Sequence, residues 1–104
     1  MASKKASTTK RTVVVCTAKR GVFFGSTSDT GIEIVTRGTV TLARARMCTY
    51  WSKETRGVLG LAGIGPQPGS RIGPEVPELC LNEITAVYTC TPEAISAWRA
   101  GPWT

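Results

Sequence analysis

From Thr12 onward, short β-branched runs alternate with tight-turn residues, which restricts the chain to small antiparallel β architectures. Thr12-Val-Val-Val-Cys-Thr-Ala18 is too short for a free-standing helix and reads as a strand. Lys19-Arg20-Gly21 is a turn, with Gly21 able to take positive φ, and Val22-Phe23-Phe24-Gly25-Ser26-Thr27 returns to make a hairpin. Ser28-Asp29-Thr30-Gly31 is a second turn, after which Ile32–Thr36 reads as a strand closed by Arg37-Gly38.

Between Thr39 and Trp51 two patterns compete. Ala43–Met47 contains helix-forming residues, yet the stretch alternates strictly, which predicts a long or bent strand. Alternation puts Arg44, Arg46, Cys48 and Tyr50 on one face, with Ala43, Ala45, Met47 and Trp51 on the other. Ser52–Gly57 is a polar loop, and Val58–Ile64 reads as a buried strand whose glycines mark a bulge or a close backbone approach. Gly65–Pro77 holds four of the six prolines and is an irregular connection around the short strand Arg71-Ile72-Gly73. Leu79–Leu81 and Ile84–Cys90 are the last strands. Thr91 then offers an N-cap, Pro92 suits the first helical position and Glu93 suits the positive end of the dipole. The resulting helix runs over 92–100, with Gly101 as C-cap and Pro102 as stop, and Ile95 and Trp98 share its buried face. The expected fold is mainly β, a compact antiparallel sheet or small barrel with one short C-terminal helix. It is one domain over 11–104, preceded by a flexible arm over 1–10.

Charge sharpens that division. The chain of 104 residues has a formal net charge of +6. Residues 1–20 carry Lys4, Lys5, Lys10, Arg11, Lys19 and Arg20 with no acid, whereas seven basic residues balance seven acids from 21 onward. The arm therefore reads either as an electrostatic tether to nucleic acid or another acidic surface, or as a solubilising terminus. No apolar run nears the roughly 20 residues of a membrane span, and no apolar segment of signal-peptide length follows the basic residues, so a cytoplasmic protein is expected.

Catalytic constellations are hard to assemble from these residues. With no histidine, Ser-His-Asp and Cys-His catalysis and His-ligated zinc are excluded. Cys16, Cys48, Cys80 and Cys90 include no CxxC pair and read as buried free thiols rather than metal ligands, with a Cys80–Cys90 bridge open in an oxidising setting. Gly60-x-x-Gly63-x-Gly65 lacks both the spacing and the Lys-Ser/Thr pair of a phosphate loop. The few carboxylates form no facing pair. The expectation is a protein that is not an enzyme and uses no cofactor or metal.

Arg44, Arg46 and Tyr50 on one strand, with Arg71 nearby, are the better candidates: alternating guanidiniums beside an aromatic can hold phosphate and stack a base. The competing reading is an ordinary solvated face paired with Glu33 or Glu54. Together with Lys4, Lys5, Lys10 and Arg11 of the arm, these make the anion- or nucleic-acid-binding set. Trp51, Trp98 and Trp103 are core or interface anchors.

Several runs resemble a family of small phage- and prophage-encoded β-rich proteins of unassigned function. They are Arg46-Met47-Cys48-Thr49-Tyr50-Trp51, Arg56-Gly57-Val58-Leu59-Gly60-Leu61-Ala62, Gly65-Pro66 and Ser70-Arg71-Ile72-Gly73-Pro74. Thr85-Ala86-Val87 and Cys90-Thr91-Pro92-Glu93-Ala94 with Trp98 continue the likeness, which covers residues 11–103. The resemblance implies a viral or mobile-element origin and no mechanism. Two functions are therefore expected. One is an accessory protein in the host cytoplasm that binds an anionic partner: nucleic acid, a nucleotide, an acidic protein surface or a host defence complex. The other is a virion component that binds a capsid lattice. Both imply homo-oligomers, because a small sheet has edges to cover.

Overall fold

Three successive valines open the sheet. Val13, Val14 and Val15 are all at most 1% exposed, which requires a central strand covered on both faces. The computed structural model describes residues 11–18 and 21–100. The arm 1–10, turn residues Lys19 and Arg20, the helix stop at Gly101-Pro102 and Trp103 lie outside the described residues.

Strands β1 (Arg11–Thr17) and β2 (Val22–Thr27) form the expected hairpin, with Val14 opposite Phe24. The alternation that predicts a strand over Ile32–Thr36 is overridden, because these residues lie in a helix, α1 (Gly31–Arg37). Its start is a reciprocal capping box: Glu33 N donates to Thr30 Oγ1 at 3.2 Å and Thr30 N donates to Glu33 Oε1 at 2.8 Å. Gly38, at φ 81°, ends it in the left-handed conformation. Only Ile34 of the helix is buried, while Ile32 stays exposed.

Strand β3 (Thr39–Tyr50) is a single long strand. A bulge interrupts its pairing with β2 between the Phe24–Arg46 and Ser26–Ala43 partners, and Arg44 takes φ 51° there. The extra residue reverses the alternation. Val40 and Leu42 share a core with Val13, Val15 and Ile34, beneath α1, whereas Cys48 joins Val14, Phe24 and Trp98 on the opposite face. The face expected for Arg46 and Cys48 is thus set after the bulge, and Val40 and Leu42, before it, look to the other side.

A 3-10 turn (Lys53–Thr55) leads into helix α2 (Gly57–Gly63). This corrects the strand expected over Val58–Ile64, and tertiary contact is the reason. Gly60 lies so close to the 3-10 turn that a Cβ on it would stand 1.6 Å from the Thr55 carbonyl oxygen. Thr91 then ties the helix end to the next helix, donating from Oγ1 to Gly63 O at 2.7 Å and accepting from Ala94 N at 3.1 Å.

Strands β4 (Arg71–Ile72) and β5 (Val76–Asn82) line the far edge of β3 in succession, separated by Gly73-Pro74-Glu75. Strand β6 (Ile84–Thr89) pairs with β1 at the opposite edge. Only Glu83, at φ 54°, separates β5 from β6. The antiparallel sheet must therefore bend until its two edges converge at that residue, although it does not close. Helix α3 (Pro92–Ala100) is the expected C-terminal helix and lays Trp98 onto β2.

Candidate anion-binding site

The bulge at Arg44 sets up a corner where two ion pairs share one carboxylate. Arg44 Nε donates to Glu75 Oε2 at 3.1 Å, and Arg99 Nη1 donates to Glu75 Oε1 at 3.0 Å. One carboxylate is thus shared between a guanidinium on β3 and another on α3. Arg99 Nη1 also donates to the Arg44 carbonyl at 3.2 Å, and its guanidinium carbon stands 4.9 Å from the Phe24 ring centroid. Beneath them Arg46, 7% exposed, donates from Nε to Gly73 O at 2.8 Å and from Nη1 to Trp98 O at 2.7 Å. It fastens the Gly73-Pro74-Glu75 link to the C-terminal turn of α3, where a cation also suits the helix dipole.

Two arginines therefore share one carboxylate, with Arg46 bracing the backbone beside them. The hydrogen bond from Arg44 holds the Glu75 carboxyl below the usual range. Burial lowers the Arg99 guanidinium, and the charge of Arg44 lowers it further. The arrangement can hold an anion with two forked donors, and its chemistry is that of binding.

The other sequence candidates divide. Tyr50 and Arg71 are exposed cross-strand partners of β3 and β4. Tyr50 is six residue steps along the strand from Arg44, about 20 Å, so the two do not belong to one site. Arg11 begins β1 opposite Thr27, whose neighbour Ser26 faces Ala43. Continuing that register puts Arg11 level with Leu42, two residues along β3 from Arg44, and the alternation of β1 puts it on the face of Val13 and Val15 rather than that of Phe24 and Arg99. Lys4, Lys5 and Lys10 lie outside the described residues. Trp98 is wholly buried and is a core residue rather than an interface anchor; Trp51 is half-buried against the same core.

Sequence reading missed Glu75 and Arg99. Their contacts to Arg44 and to each other span 31 and 24 residues, and no local pattern announces them. The cysteines are all free, but Cys80 is exposed on β5, which corrects the expectation of four buried thiols. β5 and β6 stand at opposite edges of the sheet, so Cys80 and Cys90 are not on adjacent strands.

Elsewhere, Ser52, Thr55 and Ser70 form a buried hydroxyl group within 3.3–3.5 Å of one another, and Gln67 N donates to Thr55 Oγ1 at 3.0 Å. These hydroxyls satisfy buried polar groups in the link from β3 to β4. A shallow depression of about 610 Å³ lies over Thr39, Thr41, Cys80 and Asn82, with the Arg37–Asp29 ion pair at its rim. Among the described residues no group of His, Cys, Asp and Glu could hold a metal, and no helix is long and apolar enough to cross a membrane.

Residues 10–98 match the model of a family described as a domain of unknown function, DUF6948. No curated protein and no solved structure matches the chain.

Proposed function

The chain belongs to the DUF6948 family, and we propose that it is a non-enzymatic, phage-type accessory protein that binds nucleic acid through its phosphate groups. The observation that carries this reading is a juxtaposition. The basic N-terminal segment joins the sheet at Arg11, two strands across from β3 and within two residues of the level of Arg44, which pairs with Glu75 as Arg99 does. Lys4, Lys5 and Lys10 precede Arg11 in the sequence with no acid among them, and at the corner of Arg44 two guanidiniums share one carboxylate. Phosphate contacts of this kind are independent of base sequence and release counterions, so binding weakens steeply with salt. The phage origin rests on the resemblance of residues 11–103 to phage-encoded proteins, and the host cytoplasm is the compartment that origin implies.

The test is retention of a short labelled oligonucleotide as salt rises from about 50 to about 200 mM. Binding should fall steeply over that range, and most of the salt dependence should vanish when residues 1–10 are removed. No retention at the lower salt would overturn the proposal.

A second reading, a virion component that self-associates into a lattice, is favoured by the unequal strand edges. β5 carries Pro77 and Glu78, residues that discourage further pairing, whereas β6 (Ile-Thr-Ala-Val-Tyr-Thr) has neither charge nor proline and pairs with β1 alone. Mass spectrometry of purified particles, with light scattering of the protein, decides it: absence from particles together with a clean monomer removes this reading.

A further inference from the structure

We infer that Arg44 and Arg99 form a seat for a phosphate group which Glu75 fills from within the chain, so that a phosphate enters by displacing that carboxylate. The inference rests on the nucleic-acid reading above and specifies where one phosphate is held and what it competes with.

Arg99 is the fixed cation, and the carboxylate it shares with Arg44 faces solvent. Arg99 keeps only 21% side-chain exposure, lies against Phe24 and donates to the Arg44 carbonyl. Arg44 is aimed by the bulge that sets its backbone at φ 51°, and Arg46 clamps Gly73 to the end of α3. Glu75 sits on the Gly73-Pro74 link with 40% of its side chain exposed, and the Arg44 side chain is 61% exposed. Ion pairs at such exposure are weak and screened by salt.

Geometry points to the ligand class. The two Glu75 oxygens are divided between guanidiniums on different elements, Oε2 to Arg44 and Oε1 to Arg99. Two oxygens of a phosphate have a similar span and can take the same two donors, with more negative charge to offer. The exchange breaks two hydrogen bonds to Glu75, forms two to phosphate and releases the carboxylate to water. No covalent step is involved.

Full-length protein is titrated with a labelled oligonucleotide and, separately, with inorganic pyrophosphate. The two arms distinguish the phosphate of a nucleic-acid backbone from a free phosphate. Glu75→Gln should tighten oligonucleotide binding by up to about eightfold at 0.1 M salt, the counterion-release gain of one further phosphate contact. Arg44→Gln added to that variant should abolish the gain. Glu78→Gln removes the same charge three residues away without touching either arginine, and should change affinity little.

Tightening in Glu75→Gln alone supports the displacement. Pyrophosphate tightening while the oligonucleotide does not would assign the seat to free phosphate and overturn its nucleic-acid form. Equal tightening in Glu75→Gln and Glu78→Gln would overturn the seat and leave nucleic-acid binding standing, because only net charge would then matter. No binding of either probe by any variant would overturn both.

Discussion

The indole of Trp98 lies face to face with the ring of Phe24, with centroids 4.7 Å apart and planes within 8°. This stack pins α3 to β2, and Trp98 Nε1 also donates to Leu61 O at 2.9 Å, so one side chain joins α2, α3 and the sheet. Because Trp98 is wholly buried, Trp98→Ala is expected to cost about 3–5 kcal/mol. Trp98→Phe, which keeps a stacking ring but loses the N–H, should cost markedly less. Urea denaturation followed by circular dichroism measures both, and equal losses would mean that the indole hydrogen bond rather than the stacked ring fixes the helix.

The capping box of α1 makes a second, smaller claim. Thr30 and Glu33 satisfy each other's backbone N–H groups at 3.2 and 2.8 Å in an exposed setting. Thr30→Ala should lower stability by about 1 kcal/mol. Measured by the same denaturation, a loss below a few tenths would mean that α1 is held by Ile34 in the core and not by its cap.

These two helices mark how far the sequence could be read. The valine run, the hairpin, the long β3 and the helix after Thr91 follow from local pattern, because each depends on neighbours in the chain. At Ile32–Thr36 a two-residue alternation competes with a Thr30-x-x-Glu33 cap, and the cap wins once Ile34 has a core to enter. At Val58–Ile64 no local signal competes, since the helix depends on Gly60 meeting the Thr55 carbonyl and on Thr91 reaching Gly63 from 28 residues away. The site divides in the same way. Arg44 and Arg46 can be picked out on β3, but Glu75 and Arg99 join them only through the register of β5 on β3 and the docking of α3.

Two glycines of α2 are expected to respond in opposite directions. Gly60→Ala would force its Cβ against the Thr55 carbonyl and should cost at least about 2 kcal/mol. Nothing lies within 4 Å of a Cβ on Gly63, so Gly63→Ala should raise stability by about 0.5–1 kcal/mol through helix propensity. Thermal melts of the two variants give the sign directly. A neutral Gly60→Ala would show that the 3-10 turn can move off α2, and the packing argument for that helix would fail.

The cysteines link burial to alkaline pH. Burial pushes the Cys90 thiol up to about 12 and the Cys48 thiol up to about 11, from an ordinary value of 9.0. In the unfolded chain both ionise near 9, so above that pH the unfolded state binds fewer protons than the folded one. The stability gradient with pH is then negative. The contribution of these thiols is intact below about pH 9 and is lost as pH climbs toward 11 and 12. Replacing both with alanine would confuse this with cavity effects; Cys48→Ser and Cys90→Val instead allow the alkaline slopes of the denaturation free energy to be compared at similar side-chain size. The slope between pH 9 and 11 should flatten in each variant relative to the parent. Exposed Cys80 supplies the internal control. In native protein at pH 8 a thiol reagent should modify Cys80 first and reach Cys48 and Cys90 only as the chain unfolds. Fast native labelling of Cys90 would mean that α3 lifts from the sheet far more readily than the Trp98–Phe24 stack allows.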